Sequence, residues 1–388
     1  MYTSTIFGQL LEFIPKYSFT RIITRYAADK HISKGSAGNQ LIILLYAQAT
    51  GKESLRDIEI GLKAHTNVWK HLGIQTVARS TVAEMNQKRD YRVYEELFYV
   101  LLHRCRDLTQ TRSFSFDSPL YSLDSTLIDL CLSLCDWAKY RTGKGAIKIH
   151  TLLDNRTLLP ELLVITPGRH NDGTIAQSFM TRIYGLEPGS IVVFDRAYID
   201  LKWWDSLDRN DIYFVSRLKK NQLTIVNERR TDQLTADILQ DDLVYIGDLT
   251  TAAYPRRLRL VTIRDKETGK PYQYVTNNDT LTATEIRLIY KDRWQIELFF
   301  KWIKQNLKIK RFFGTSANAV LAQIWIAMIY YLLLVYIHFQ TNHQGSLLEF
   351  TRLIRETLLI RRPLIDLLSL TQADVHKLDR ESLQETLF

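Results

Sequence analysis

The run VLAQIWIAMIYYLLLVYIHF, residues 320–339, constrains this chain more than any other stretch. A helix apolar around its whole circumference must either cross a bilayer or be surrounded by protein on every side. Gln323 and His338 interrupt the run and it stands alone, so we read it as the central helix of a large core, with a membrane span as the alternative. Residues 1–112 supply companions for such a core. FGQLLEFI, FTRIITRYAADK, NQLIILLYAQATG and SLRDIEIGLKAH have apolar spacing near 3.6 and read as successive amphipathic helices, with Gly51 and Gly73 at helix ends. In RSTVAEMNQKRD, residues 79–90, Ser80 is a candidate cap. Arg79, Gln87, Lys88 and Arg89 there either meet DNA or coat one more surface helix.

A chain of 388 residues exceeds one typical core, so two or three domains are expected. With 51 Lys and Arg against 42 Asp and Glu, the net charge of +9 favours a polyanionic partner without requiring one. Cys105, Cys131 and Cys135 are too few for a disulfide framework and form no CxxC pair, which points to a reducing, cytoplasmic setting. The start, MYTSTIFGQLLEFIPKYS, has no basic segment followed by a long apolar run, so no signal peptide is expected.

From about residue 118 the pattern changes. SPLYSLDSTLIDLCLS, GAIKIHTLLD and LLPELLVITPGRH read as three strands joined by turns around Gly143, Gly145 and Asn155. A helix (DGTIAQSFMTRIYG), an apolar strand (SIVVFDRAYID), a helix (LKWWDSLDRN) and a strand (IYFVSRLK) follow. Three strands in meander and then alternating helix and strand predict an α/β domain with a mixed sheet. Short polar strands between 219 and 270 read as a β-rich insertion, after which YQYVTNN and a long helix from Thr284 resume the domain. The layout is an N-terminal helical domain (1–112), catalytic segments at 118–218 and 271–340 around the insertion (219–270), and a helical C-terminal region (341–388).

Two acids stand out by position. Asp124 interrupts the apolar side of YSLDSTLIDL, and Asp195 ends the strand IVVFDRAY. An ionised carboxylate in such a place is costly unless it is paired or binds a metal, although either Asp alone could simply cap a turn. A third acid lies in IYKDRWQIELFFKWIKQNLKIK. At 100° per residue, Tyr290, Arg293, Glu297 and Lys304 fall within about 60° of one another, with Trp294 and Lys301 at the edge of the stripe. Residues 285–311 carry eight basic side chains against three acids, a difference of +5 out of the chain's +9. Such a stripe attracts a phosphate backbone, and an acid in its middle makes sense if it joins other carboxylates around a metal ion beside a scissile phosphate.

The spacing Y-x2-R-x3-E-x6-K (Tyr290, Arg293, Glu297, Lys304), the DST at 124–126, the strand ending in DRAY at 195–198 and the β insertion between the second Asp and the Glu are together similar to the IS-four family of insertion-sequence transposases. These are DDE recombinases marked by a YREK signature. The resemblance spans roughly residues 118–340 and implies an RNase H-like fold with helices on both faces of a mixed sheet. It implies that Asp124, Asp195 and Glu297 bind two Mg²⁺ ions, with Mn²⁺ as a substitute. It further implies that Tyr290, Arg293, Trp294, Lys301 and Lys304 contact DNA. The implied activity is cleavage at terminal inverted repeats and joining of the 3′ hydroxyl to target DNA, by cut and paste, with a homodimer in the DNA complex and no membrane partner. The cell compartment would be the bacterial cytoplasm, on the nucleoid. The resemblance also implies that Trp294 stacks on a base near the cut, with core packing as the alternative reading; a second base-stacking aromatic expected in the strand before the helix is not assigned, since YQYVTNN offers Tyr272 and Tyr274 but no Trp. His150, Lys139, Arg141, Lys144, Lys148, Arg256, Arg257 and Arg259 read as either site-facing or structural. A nuclease of the same fold and an inactive DNA-binding regulator are the competing readings.

Overall fold

The computed structural model describes residues 4–32, 34–74, 76–106, 114–130, 135–141, 144–170, 186–218, 222–232, 234–247, 254–307, 312–341 and 345–368. The expected helix at 172–185, Cys131, Lys308, Lys310, Arg311 and the tail beyond 368 lie outside them, as do the side chains of Lys139, Arg141 and Lys144. Two compact units result, one of Met1–Gln110, Ser133–Trp137 and Lys301–Phe388, the other of Thr111–Leu132 and Ala138–Phe300.

The first unit begins with α1 (Ile6–Glu12), α2 (Lys16–Arg25), α3 (Ala37–Thr50), α4 (Leu55–Ala64), α5 (Thr66–His71), α6 (Arg79–Lys88) and α7 (Arg92–Arg106). Thr5, Ser36 and Ser54 each accept a hydrogen bond of 3.1 Å from the backbone N–H three residues on, which caps α1, α3 and α4. Gly51 ends α3 at φ 68°, a left-handed conformation that glycine adopts without a Cβ penalty. Ser80 is not a cap, because α6 already starts at Arg79 with Ala78 before it. Arg89 does not face DNA either. Its side chain is buried and donates to Asp29, Gln40 and the carbonyls of Ala28 and Gly35.

The second unit is built on one ten-stranded sheet: β1 (Leu120–Leu130), β2 (Lys139–Arg141), β3 (Lys144–Asp154), β4 (Pro160–Pro167), β5 (Ile191–Phe194), β6 (Tyr213–Arg217), β7 (Thr224–Arg229), β8 (Ile238–Ile246), β9 (Leu258–Arg264) and β10 (Pro271–Thr276). β1, β3 and β4 form an antiparallel meander, and β5 and then β6 add in parallel on the free side of β1. The resulting order β4-β3-β1-β5-β6 is the RNase H-like arrangement expected from the sequence. The stretch read as an insertion continues the same sheet, in the order β6-β10-β9-β8-β7. Arg259 ties it down: fully buried, it pairs with Asp241 at 2.7 Å. α8 (Leu201–Arg209) packs Trp203, Trp204 and Leu207 onto one face with Phe194 and Phe214. The opposite face is covered by α9 (Ala283–Asp292) through Ala283, Ile286 and Ile289, which meet Leu120, Ile191, Val193 and Val215. α10 (Trp294–Asn306) follows at once.

The apolar run becomes α11 (Ala317–Gln340), followed by α12 (Leu347–Thr357) and α13 (Leu364–Leu368). α11 packs against α3, α6, α7 and α12, with 89% of its most apolar window buried. Its two polar interruptions are satisfied inside the protein: Gln323 Oε1 accepts from Phe313 N at 2.9 Å, and His338 Nε2 bonds Gly345 O at 2.7 Å. It is therefore a core helix. The units divide at Phe300/Lys301, inside α10, whereas the sequence suggested a boundary near residue 340. The reason is that a helix apolar on all sides needs cover all round, and the N-terminal helices provide it.

Candidate active site

Asp124 and Asp195 are brought together by strand register. In parallel β1 and β5, Leu120 to Leu123 stand beside Ile191 to Phe194, so Asp124 and Asp195 follow as the next neighbours on backbones about 4.8 Å apart. Alternation along each strand then fixes the face. Leu123 and Phe194 point into the core under α8, and Leu120, Ile191 and Val193 point the other way, toward α9. Both aspartates share parity with this second set and so face the helix side. Asp195 is still extended (φ −82°, ψ 172°), and its carboxylate accepts from Ala197 N at 2.8 Å, capping the short turn Arg196–Tyr198. Asp124 accepts from Ser125 N at 2.7 Å.

The third acid arrives on a broken helix rather than on the single long one read from the sequence. α9 stops at Asp292 and α10 begins at Trp294. The cause is Asn155, fully buried in the turn after β3. Its Nδ2 donates to Asp292 O at 3.0 Å and to Asp292 Oδ2 at 2.8 Å. The Asp292 carbonyl is thereby drawn toward the turn, and Ile296 N bonds to Arg293 O instead, at 3.2 Å. Asn155 N in turn donates to Leu120 O at 2.9 Å, so one residue links the start of β1 to the helix break beside Arg293. Asn155→Ala should destabilise the protein by about 1–3 kcal/mol in urea unfolding and lower DNA cleavage more than DNA binding. Unchanged stability would remove this role.

Arg293 occupies the centre of the site. Its Nη2 is 2.6 Å from Glu297 Oε1 and its Nη1 is 3.5 Å from Asp124 Oδ2, while its Nε is buried without a hydrogen-bond partner among the described residues. Tyr290 lies half-buried between Tyr274, at 5.3 Å between ring centroids, and the Arg293 guanidinium, 5.6 Å from its own ring centre. Trp294 is 55% exposed, so it is not a core residue. With Tyr290, Arg293 and Phe116 it lines a cavity of about 800 Å³. Lys301 and Lys304 lie farther along α10, exposed and half-buried respectively, on the same side of the helix as Glu297. Leu298, on the same helix, is exposed.

Burial raises the Asp124 carboxyl to about 6, the nearby Asp195 and Glu297 charges push in the same direction, and Ser125 N and Arg293 offset part of the rise. The strand aspartate is therefore ionised at a cost set first by burial and added to by its two carboxylate neighbours, even with a guanidinium beside it. As the side chains stand, no three Asp, Glu, His or Cys among the described residues are drawn together closely enough to hold an ion. The guanidinium between Asp124 and Glu297 supplies the positive charge there. The donor set fits a hard divalent cation: all-carboxylate oxygen ligands without Cys or His suit Mg²⁺ or Mn²⁺.

Other sequence candidates lie elsewhere. His150 pairs with Ser125 across β1 and β3 and so points to the face opposite Asp124, where its Nε2 meets Thr166 Oγ1 at 3.0 Å. Lys148 is buried and donates to His170 O. Arg256 pairs with Asp205 and Asp208, and Arg257 pairs with Glu228. Asn155 was missed by sequence reasoning, because an Asn between two strands carries the same signal as any turn residue.

The family model described as the transposase DDE domain matches residues 115–333, more than half of the chain, and a domain of unknown function matches residues 2–75. A transposase-named protein of Sinorhizobium fredii, y4zB, is 33% identical over 72% of this chain and 77% of its own length. The protein named as transposase for insertion sequence element IS5377 of Geobacillus stearothermophilus is 29% identical over 73% of this chain and 74% of its own. Among solved structures, a piggyBac transposase synaptic complex with hairpin DNA aligns at a TM-score of 0.47 and 10% identity over 97% of this chain and 83% of that one, too distant to bear on the argument. With Asp124 and Asp195 on neighbouring parallel strands and Arg293 joining Asp124 to Glu297, the chain belongs to the transposase DDE domain family and is a DNA transposase of the bacterial insertion-sequence kind.

Proposed function

We propose that this transposase binds the terminal inverted repeats of its element, cuts DNA at the ends and joins the freed 3′ hydroxyls to target DNA by cut and paste. DDE transposases work on DNA with divalent metal ions. In this reading Asp124, Asp195 and Glu297 hold two Mg²⁺ ions, for which Mn²⁺ substitutes. When bound, the ions activate the attacking oxygen and stabilise the leaving one. The observation that carries the assignment is the neighbour relation of Asp124 and Asp195 on parallel strands, with Arg293 linking Asp124 to Glu297.

The chain's own residues then orient the DNA. Arg293 balances the carboxylates in the free protein, and its forked donors would suit a phosphate held beside them. Tyr290 backs it through its ring and hydroxyl. Trp294, exposed at the cavity rim, offers a stacking surface to a base near the cut. Lys301 and Lys304 extend the grip along α10. The N-terminal helical domain, to about residue 112, adds further hold on DNA, and a homodimer in the cytoplasm, on nucleoid DNA, brings two ends together.

A labelled duplex bearing a terminal repeat, incubated with Mg²⁺ and a target plasmid, should yield joined product. Cleavage without joining would make the protein a nuclease of the same fold. Arg293→Ala should weaken end binding and lower the slope of log affinity against log salt by about one. An unchanged slope would mean that Arg293 serves the carboxylates alone.

A further inference from the structure

The first unit carries a basic face that its fold does not use. α2 buries Phe19 and Ile22 on one side. On the other, Lys16, Tyr17, Thr20, Arg21, Thr24 and Arg25 fall within about 180° at 100° per residue, and all six are exposed. α2 itself contains no acid. Tyr17 is 77% exposed, and the Arg21 guanidinium stands 5.9 Å from its ring centre. Exposed Lys30 and Lys34 follow, and the one acid of the segment, Asp29, is turned inward to Arg89 and to Ala37 N. Residues 16–34 thus hold five basic side chains against one acid, +4 of the chain's +9.

Stability of the folded unit does not explain this face. An ordinary solvated helix alternates charges, as α4 does with Glu59 and Lys63 at 3.3 Å and α6 with Glu84 and Lys88 at 2.6 Å. α2 instead sets Arg21 and Arg25 four residues apart, a like-charge pair that costs a few tenths of a kcal/mol in a helix. Arg25 has Glu96 as a partner, and no ion pair engages Lys16 or Arg21 among the described residues. Thr20 and Thr24 spend their hydroxyl protons on the carbonyls of Lys16 and Thr20, so they leave a low, uncharged middle flanked by longer cationic arms. A polyanionic ridge fits such a surface.

We propose that the exposed face of α2, in the stretch matching the domain of unknown function, docks on the phosphate backbone of duplex DNA. The inference rests on the chain being a DNA transposase and assigns a surface to a segment without one. The proposed contacts are to phosphates, which carry no base identity, so this contribution is independent of sequence. Lys16 and Arg21 each neutralise a phosphate and release counterions.

The test uses the full-length chain, titrated with an end-bearing duplex and with a random duplex over about 50–200 mM salt. Lys16→Gln/Arg21→Gln should weaken binding to both duplexes alike and lower the slope of log affinity against log salt by about two. Lys63→Gln, which removes a lysine already paired with Glu59, should leave the slope unchanged. Thermal melting should match wild type for both variants, because all three side chains are exposed. Anionic lipid vesicles serve as a second ligand. A double variant that loses vesicle binding while keeping its DNA slope would assign the face to a membrane surface and overturn the proposal. An unaltered DNA slope, or a loss confined to the end-bearing duplex, would also overturn it while leaving the transposase reading intact. Absence of salt-dependent DNA binding by the wild type would remove both.

Discussion

Glu297→Gln is expected to reduce DNA cleavage and joining at least about a thousandfold, on the order of 4 kcal/mol of barrier, while leaving end binding within a few-fold of wild type. The amide keeps the shape of the side chain and one acceptor oxygen but removes the charge on which Arg293 and the proposed metal ions depend. Asp195→Asn should behave in the same way, since its backbone contact with Ala197 N needs only an acceptor. A Glu297→Gln protein that cleaves at the wild-type rate in Mg²⁺ would refute the triad. The same proteins report binding independently in a salt titration, which separates a catalytic defect from a failure to engage DNA.

Asp124→Asn should abolish cleavage and yet make the metal-free protein more stable. Burial, with Asp195 and Glu297 adding to it, lifts the Asp124 carboxyl from 3.8 to about 6. A carboxyl whose folded value exceeds its unfolded value binds more protons folded than unfolded, so the metal-free protein loses stability as pH rises from about 4 to above 6. At 1.36 kcal/mol per unit, the ionised Asp124 costs about 3 kcal/mol at pH 8. The amide removes most of that cost while Arg293 keeps Glu297, so a gain of about 1–3 kcal/mol is expected in urea unfolding at pH 8 without metal, and little gain at pH 4. Equal or lower stability of the variant at pH 8 would refute the claim that this carboxylate is held at a cost to the fold. Such a trade is common where a site is arranged for chemistry rather than for stability.

Much of the site was legible along the chain because strand and helix periods are local. An Asp at the end of the apolar run IVVF, an Asp breaking the alternation of YSLDSTLIDL, and a Glu spaced from Tyr, Arg and Lys on one helix face are readable without any fold. The basic face of residues 16–34 emerged only from burial, which shows which of those charges reach solvent. Arg89 and Arg259 look like surface cations in sequence and are interior ones in structure, because their carboxylate partners lie 60 and 18 residues away.

The sequence by itself determined the periodicities, and through them the mixed sheet, the helical companions of the 320–339 run and the local positions of three candidate acids. Only the tertiary structure decided that β1 and β5 stand in the register that aligns Asp124 with Asp195, that Asn155 breaks the helix beside Arg293, and that α11 joins the N-terminal helices. The physical reason is range. Side-chain direction follows from a few neighbouring dihedral angles, whereas register, burial and the partner of a charge depend on contacts between segments far apart in the chain, which no local pattern encodes.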